Sequence, residues 1–241
     1  MYQAATQKKR YTAGNTSTAA ARLSAMTLNF TASPSAAEPA QPSLVRLEHF
    51  IPDIIIELKY ASRDNFIGAV VDGYQQACAL LSRPAAEALA NVAAEFRQQN
   101  LRLKIFDAYR PQRAVDHFLR WASSAEDLRT KDRFYPALEK PQLFERGYLF
   151  SHSSHSRGST ADLTLTDNDG RELDMGTIFD FFGPQSWPES ADVSPHQRAN
   201  RDLLQSVMHR HGFIGVREEW WHFTLADEPY PDQYFDFLPW E

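Results

Sequence analysis

Thr160-Ala161-Asp162-Leu163-Thr164-Leu165-Thr166 runs, after Asp167, into Asn168-Asp169-Gly170. Apolar residues at 161, 163 and 165 alternate with polar residues at 160, 162, 164 and 166. A period of two marks a strand, and the Asn-Asp-Gly run after it is a strong turn signal. Upstream, Leu101 to Tyr109 alternates Leu101, Leu103 and Ile105 against Arg102 and Lys104, a half-buried strand. Asp53 to Tyr60 (DIIIELKY) is rich in β-branched and apolar residues and reads as a strand; so does Phe213 to Leu225. Helical spacing lies between these segments. Ser82 can cap a helix, Pro84 suits its first turn, and Leu89, Val92, Ala93 and Phe96 share one face. Pro111 opens a second helix with Val115, Phe118 and Leu119 apolar. Pro195 to His211 forms a third, with Leu203, Leu204, Val207 and Met208 inward and Gly212 just past its end. Arg63 to Tyr74 reads as a loop and Ser123 to Gly147 as charged, irregular chain. Strands and helices do not alternate regularly, so the expected class is α+β: a single domain with helices packed on a mainly antiparallel sheet.

The chain has 241 residues and a formal net charge of -6 at pH 7, with no long Lys/Arg run. Phosphate binding normally needs a basic stripe, so nucleic acid is excluded as a partner. No apolar run is long enough to span a bilayer. The single cysteine, Cys78, rules out an intramolecular disulfide, and its apolar neighbours suit a buried structural thiol. Residues 1–43 read as a tail or a signal segment, and residues 44–241 as the folded domain. Lys8, Lys9 and Arg10 precede a weak apolar stretch from Leu23 to Ala32 and a small-residue site at Ser35-Ala36-Ala37. If residues 1–37 act as a signal peptide the protein is periplasmic; otherwise it is cytoplasmic. Oligomeric state is not legible in the sequence.

Three clusters carry chemistry. The first is Ser153 to Asp162 (SSHSRGSTAD), where a Ser- and Gly-rich loop leads into the strand. A catalytic zinc site takes about three nitrogen or oxygen ligands and keeps one position open for water. Gly158 can turn the loop so that His155 and Asp162 meet. Taken alone, the same stretch also fits a surface loop with an unrelated histidine. The second is Glu218-Glu219-Trp220-Trp221-His222, with His222 as a third ligand and Glu219 as a base. In a regular strand, residues three apart point to opposite faces. Either the backbone bulges around Trp220 or Glu219 sits before regular pairing begins. The third is Asp107-Ala108-Tyr109-Arg110-Pro111, where a guanidinium at a strand end can steady an oxyanion.

Together these stretches resemble the D-alanyl-D-alanine dipeptidases of the vancomycin-resistance type. The resemblance runs through KYASRDNFIGAVVDGY (59–74), DAYRPQRAV (107–115), SSHSRGSTADLTL (153–165), MGTIFDF (175–181), EWWHF (219–223) and DEPYPDQYFDF (227–237) in the same order. It implies one zinc ion per chain on His155, Asp162 and His222, Glu219 as general base and acid, and Arg110 as the transition-state arginine. It further implies that Tyr60, Ser153 and Asp180 hold the ends of a small dipeptide substrate. The reaction implied is hydrolysis of D-alanyl-D-alanine in peptidoglycan precursor or fragment metabolism. The alternatives are a D,D-carboxypeptidase or endopeptidase on longer wall peptides and a non-catalytic zinc-binding recognition domain. His152 takes the plain reading, because the spacing to Asp162 matches from His155. His209 and His211 read as helix-end residues. The aromatics from Tyr230 to Trp240 read as core or edge packing.

Overall fold

A computed structural model describes residues 42–76 and 78–238, so the N-terminal segment up to residue 41 lies outside the described residues. The strands in chain order are β1 (Leu44–Arg46), β2 (Ile55–Ile56), β3 (Leu80–Ser82), β4 (Arg102–Asp107), β5 (Thr160–Thr166), β6 (Phe213–Gly215) and β7 (His222–Leu225). β1 and β3 pair with each other. The remaining five form one sheet in the order β2-β4-β5-β7-β6, antiparallel except for the β2–β4 pair. The helices are α1 (Arg83–Arg97), α2 (Gln112–Ser123), α3 (Lys131–Phe134), α4 (Lys140–Glu145) and α5 (Pro195–Arg210). The class is therefore α+β, with helices on a mainly antiparallel sheet.

β5 is the centre of the sheet, and all seven of its residues are buried. α1 and α5 pack against each other and against β4 and β6. α1 begins as its sequence requires: the Ser82 hydroxyl accepts from Ala85 N, and Pro84 occupies the first turn, where no N–H is needed. Its buried residues Ala85, Leu89, Val92 and Phe96 follow the helical period. α5 carries a capping box, Ser194 with Gln197. Aromatic rings gather beside the sheet: Tyr60 lies 5.0 Å from Phe118, Phe66 lies 5.2 Å from Phe182, and Phe106 lies 4.9 Å from Phe179.

One irregularity decides where the functional side chains go. Ile105 pairs with Leu163, but two residues on Asp107 pairs with Asp162, so β4 carries an extra residue at Phe106. Without that bulge Asp107 would share the face of Ile105 and Leu163. With it, Asp107, Asp162 and His222 form one row across β4, β5 and β7.

Three local readings are corrected. Asp53 to Tyr60 supplies only the two-residue β2; Lys59 to Ala61 is a turn of 3-10 helix that buries Tyr60. Ser123 to Gly147 contains the short helices α3 and α4. Phe213 to Leu225 is two strands, and residues 216–221 between them leave the strand conformation, with Trp221 O still accepting from Leu163 N of β5. Of the aromatics from Tyr230 to Trp240, Phe237 packs at an edge, stacking on Tyr109 with ring centroids 4.5 Å apart, and Trp240 lies outside the described residues. Phe235 N donates to Ser156 O, and Gln112 N donates to Phe235 O, so this extended segment braces the His155 loop against α2.

Candidate active site

His155 sits in a turn of 3-10 helix, Ser154–Arg157, capped by the Ser153 hydroxyl and ended by Gly158 at φ +80°. A Cβ on Gly158 would also lie 2.7 Å from a Leu44 methyl, so glycine is required twice over. The imidazole Nδ1 lies 2.7 Å from the Ala108 carbonyl, which only accepts. Nδ1 therefore carries the hydrogen, and Nε2 presents its lone pair. That Nε2 is 3.2 Å from Asp162 Oδ2 and 3.3 Å from His222 Nδ1. His222 Nδ1 is in turn 3.0 Å from Asp162 Oδ1. The opposite nitrogen of His222 lies 3.2 Å from the Ser154 hydroxyl, which can accept from it and leave Nδ1 unprotonated. One ligand atom from each of the three residues falls within 4.8 Å of the others.

Two histidine nitrogens and a carboxylate oxygen are the donor set that a catalytic zinc site takes. Asp162 Oδ1 is buried and accepts no well-directed hydrogen bond, although His222 is close. A buried carboxylate oxygen left this way is costly unless a cation meets it. Burial opposes ionisation of Asp162, yet the imidazoles of His155 and His222 outweigh it and hold the carboxyl well below the usual range. The residues present fit a divalent metal.

Glu219 precedes β7, so its side chain does not follow the strand's alternation and approaches His222 Nδ1 at 3.5 Å. Of the two sequence-level alternatives, this is the second. Burial pushes the Glu219 carboxyl up to about 7, with the Asp162 charge adding to it. Trp220 anchors the turn, its N–H donating to Ser186 O and its indole to the Thr177 hydroxyl.

Arg110 leaves the end of β4 with its fork on Asp107: Nε and NH2 donate to Oδ2 at 2.9 and 2.8 Å. NH2 is also 3.5 Å from Asp162 Oδ2, and the rings of Tyr60 and Phe118 lie against the guanidinium. Tyr74 donates to the other Asp107 oxygen at 2.5 Å. Tyr60 donates to Asp180 Oδ2 at 2.9 Å. Burial, then the charges of Asp162 and Glu219, raise the Asp180 carboxyl well above its ordinary value. Asp180 adopts φ +60°, rare for a residue with a side chain. Its loop is stitched to α5 by Arg201, which donates to the carbonyls of Met175, Trp187 and Gln185.

All eight residues singled out in the sequence (Tyr60, Arg110, Ser153, His155, Asp162, Asp180, Glu219 and His222) line one cavity of about 290 Å³. That lies at the small end of ligand pockets. Three residues had no assigned part. Asp107 was quoted in its motif without a role, because the bulge that turns it inward has no sequence signal. Ser154 was hidden among serines. His152, set aside as a ligand, stands outside the three-residue metal cluster but lines the cavity at its exposed rim.

A model of the D-ala-D-ala dipeptidase family, peptidase M15, matches residues 40–239. The D-alanyl-D-alanine dipeptidases of Enterococcus faecalis and Streptomyces coelicolor are each 42% identical to this chain over 192 residues, 79% of this chain and 95% of theirs. That of Escherichia coli is 38% identical over 199 residues, 81% of this chain and 93% of its own.

Proposed function

Because the chain belongs to the D-Ala-D-Ala dipeptidase family of peptidases M15, we propose that its domain, residues 44–241, hydrolyses D-alanyl-D-alanine to two D-alanines with one zinc ion held by His155, Asp162 and His222. The observation that carries this reading is the convergence of those three ligand atoms within 4.8 Å beside the half-buried Glu219. The bound metal would supply Lewis-acid polarisation of the scissile carbonyl and make water a better nucleophile near neutral pH.

The protein's own groups do the rest. Glu219 takes the proton of the attacking water and passes it to the leaving amine, a task suited to a carboxyl poised near neutrality. Arg110, fixed by Asp107 before substrate arrives, donates to the oxyanion that forms at the carbonyl. Asp180, buried in the cavity lining with Tyr60 beside it, receives the substrate ammonium. Ser153 offers its hydroxyl to the dipeptide from the ligand loop. A buried carboxyl that ionises against an arriving ammonium favours free dipeptides, since a longer peptide with no ammonium there would leave Asp180 without its partner. That feature counts against a carboxypeptidase acting on longer stems.

The test is turnover of D-Ala-D-Ala, L-Ala-L-Ala and a D-Ala-D-Ala-terminated pentapeptide by purified protein, with and without chelator. Chelator-sensitive cleavage of D-Ala-D-Ala alone is expected. Cleavage of the pentapeptide at a comparable rate would replace the dipeptidase reading with the carboxypeptidase one. Turnover of no D,D-peptide by zinc-loaded protein would leave a recognition domain.

A further inference from the structure

A free dipeptide carries a carboxylate as well as an ammonium. Around the cavity the acidic groups are Asp162, Asp180, Glu218 and Glu219. The basic groups are Arg110, His152, His155 and His222. His155 and His222 turn to Asp162, and Arg110 is already neutralised by Asp107. A substrate carboxylate at the mouth would therefore meet Glu218 and Glu219 and, among the basic groups, only His152.

Depth separates the two ends of the substrate. Both residues line the cavity, but Asp180 is 4% exposed and buried, whereas His152 is exposed at the rim. The His152 ring is held at two points: it rests 4.7 Å from the ring of Tyr234, and its Nδ1 lies 3.2 Å from the Ser151 hydroxyl. When that hydroxyl donates to Nδ1, the ring hydrogen sits on Nε2, which has no partner among the described residues.

We infer that His152 is a specificity-determining residue, donating Nε2–H to the C-terminal carboxylate of the dipeptide at the cavity mouth. The inference rests on the dipeptidase reading. His152 makes the rim a reader of free carboxylates, as Asp180 makes the floor a reader of free ammonium groups. Substrates blocked at the C-terminus lose this contact and meet only the acidic side of the mouth.

Parent, His152→Ala and His152→Gln proteins are compared on D-Ala-D-Ala and on its C-terminal carboxamide, with zinc content measured for each. His152→Ala should raise KM for D-Ala-D-Ala about tenfold, the effect of losing one hydrogen bond to a charged group. Its kcat should change less than KM, its zinc content should hold, and its preference for the dipeptide over the carboxamide should shrink by a similar factor. His152→Gln places an amide N–H near the position of Nε2 and should recover most of that preference. An unchanged preference in His152→Ala, a loss confined to kcat, or a loss that follows zinc content would overturn the assignment. A zinc-loaded parent protein inert on D-Ala-D-Ala would overturn the reaction itself, and this assignment with it.

Discussion

Arg110 and Glu219 show what fixed geometry does at the scale of a single side chain. Arg110 holds its planar fork on Asp107 while two aromatic rings confine it. Lysine cannot make that two-point contact. Arg110→Lys should keep its zinc and lose about 100-fold in kcat, the magnitude typical of one lost oxyanion donor; steady-state rates with metal analysis decide it. Glu219→Ala should likewise retain zinc and lose turnover, and parent-level activity in that variant would end the role given to Glu219. Acidity gives a second handle on Glu219. Its carboxyl is raised to about 7 from 4.5, chiefly by burial. As pH climbs, the unfolded chain ionises first, so the metal-free protein loses stability between roughly pH 4.5 and 7. Glu219→Gln escapes that loss. Denaturant unfolding of the metal-free proteins should show the variant more stable by up to about 3 kcal/mol at pH 8 and no different at pH 4.

At the scale of elements, the site is mounted on two kinds of support. Asp107, Asp162 and His222 ride on adjacent strands, while Glu219 and Asp180 ride on loops and His155 on a single turn of 3-10 helix. The loop of Asp180 depends on Arg201, a buried guanidinium that donates to three main-chain carbonyls. Arg201→Met removes those donors and leaves buried carbonyls unpaired, at a cost of about 3 kcal/mol or more. The expected signature is a lower unfolding midpoint and a raised KM, with zinc content retained.

This division also explains what could be read from sequence. The alternations of Leu101 to Tyr109 and Thr160 to Thr166 located β4 and β5, because a buried sheet enforces a period of two. The caps at Ser82 and Ser194 marked helix starts, because exposed backbone N–H groups need partners. The bulge at Phe106 could not be read, since an extra residue in one strand shows only once the partner strand is placed. The break after Gly215 was half legible: Glu219 and His222, three residues apart, required a bulge or a late start to pairing, but the apolar run Trp220-Trp221 looks like strand although the tryptophans bury themselves in a turn. The ligand triad was visible as residue types, and its convergence came from long-range pairing.

For the molecule as a whole, metal and fold are linked. A ligand at a thousandfold excess over its dissociation constant adds about 4 kcal/mol to stability. Zinc removal should therefore lower the melting temperature, and readdition should restore it along with turnover. The cavity region gathers Asp107, Asp162, Asp180 and Glu219. So many acids in one small volume will not all stay ionised without a counter-cation, and bound hydrogen ions take its place in the metal-free protein. Loading zinc then becomes an exchange that acidifies the medium. In calorimetric titrations the apparent heat of zinc uptake should change with the ionisation heat of the buffer, and the slope across buffers counts the hydrogen ions displaced.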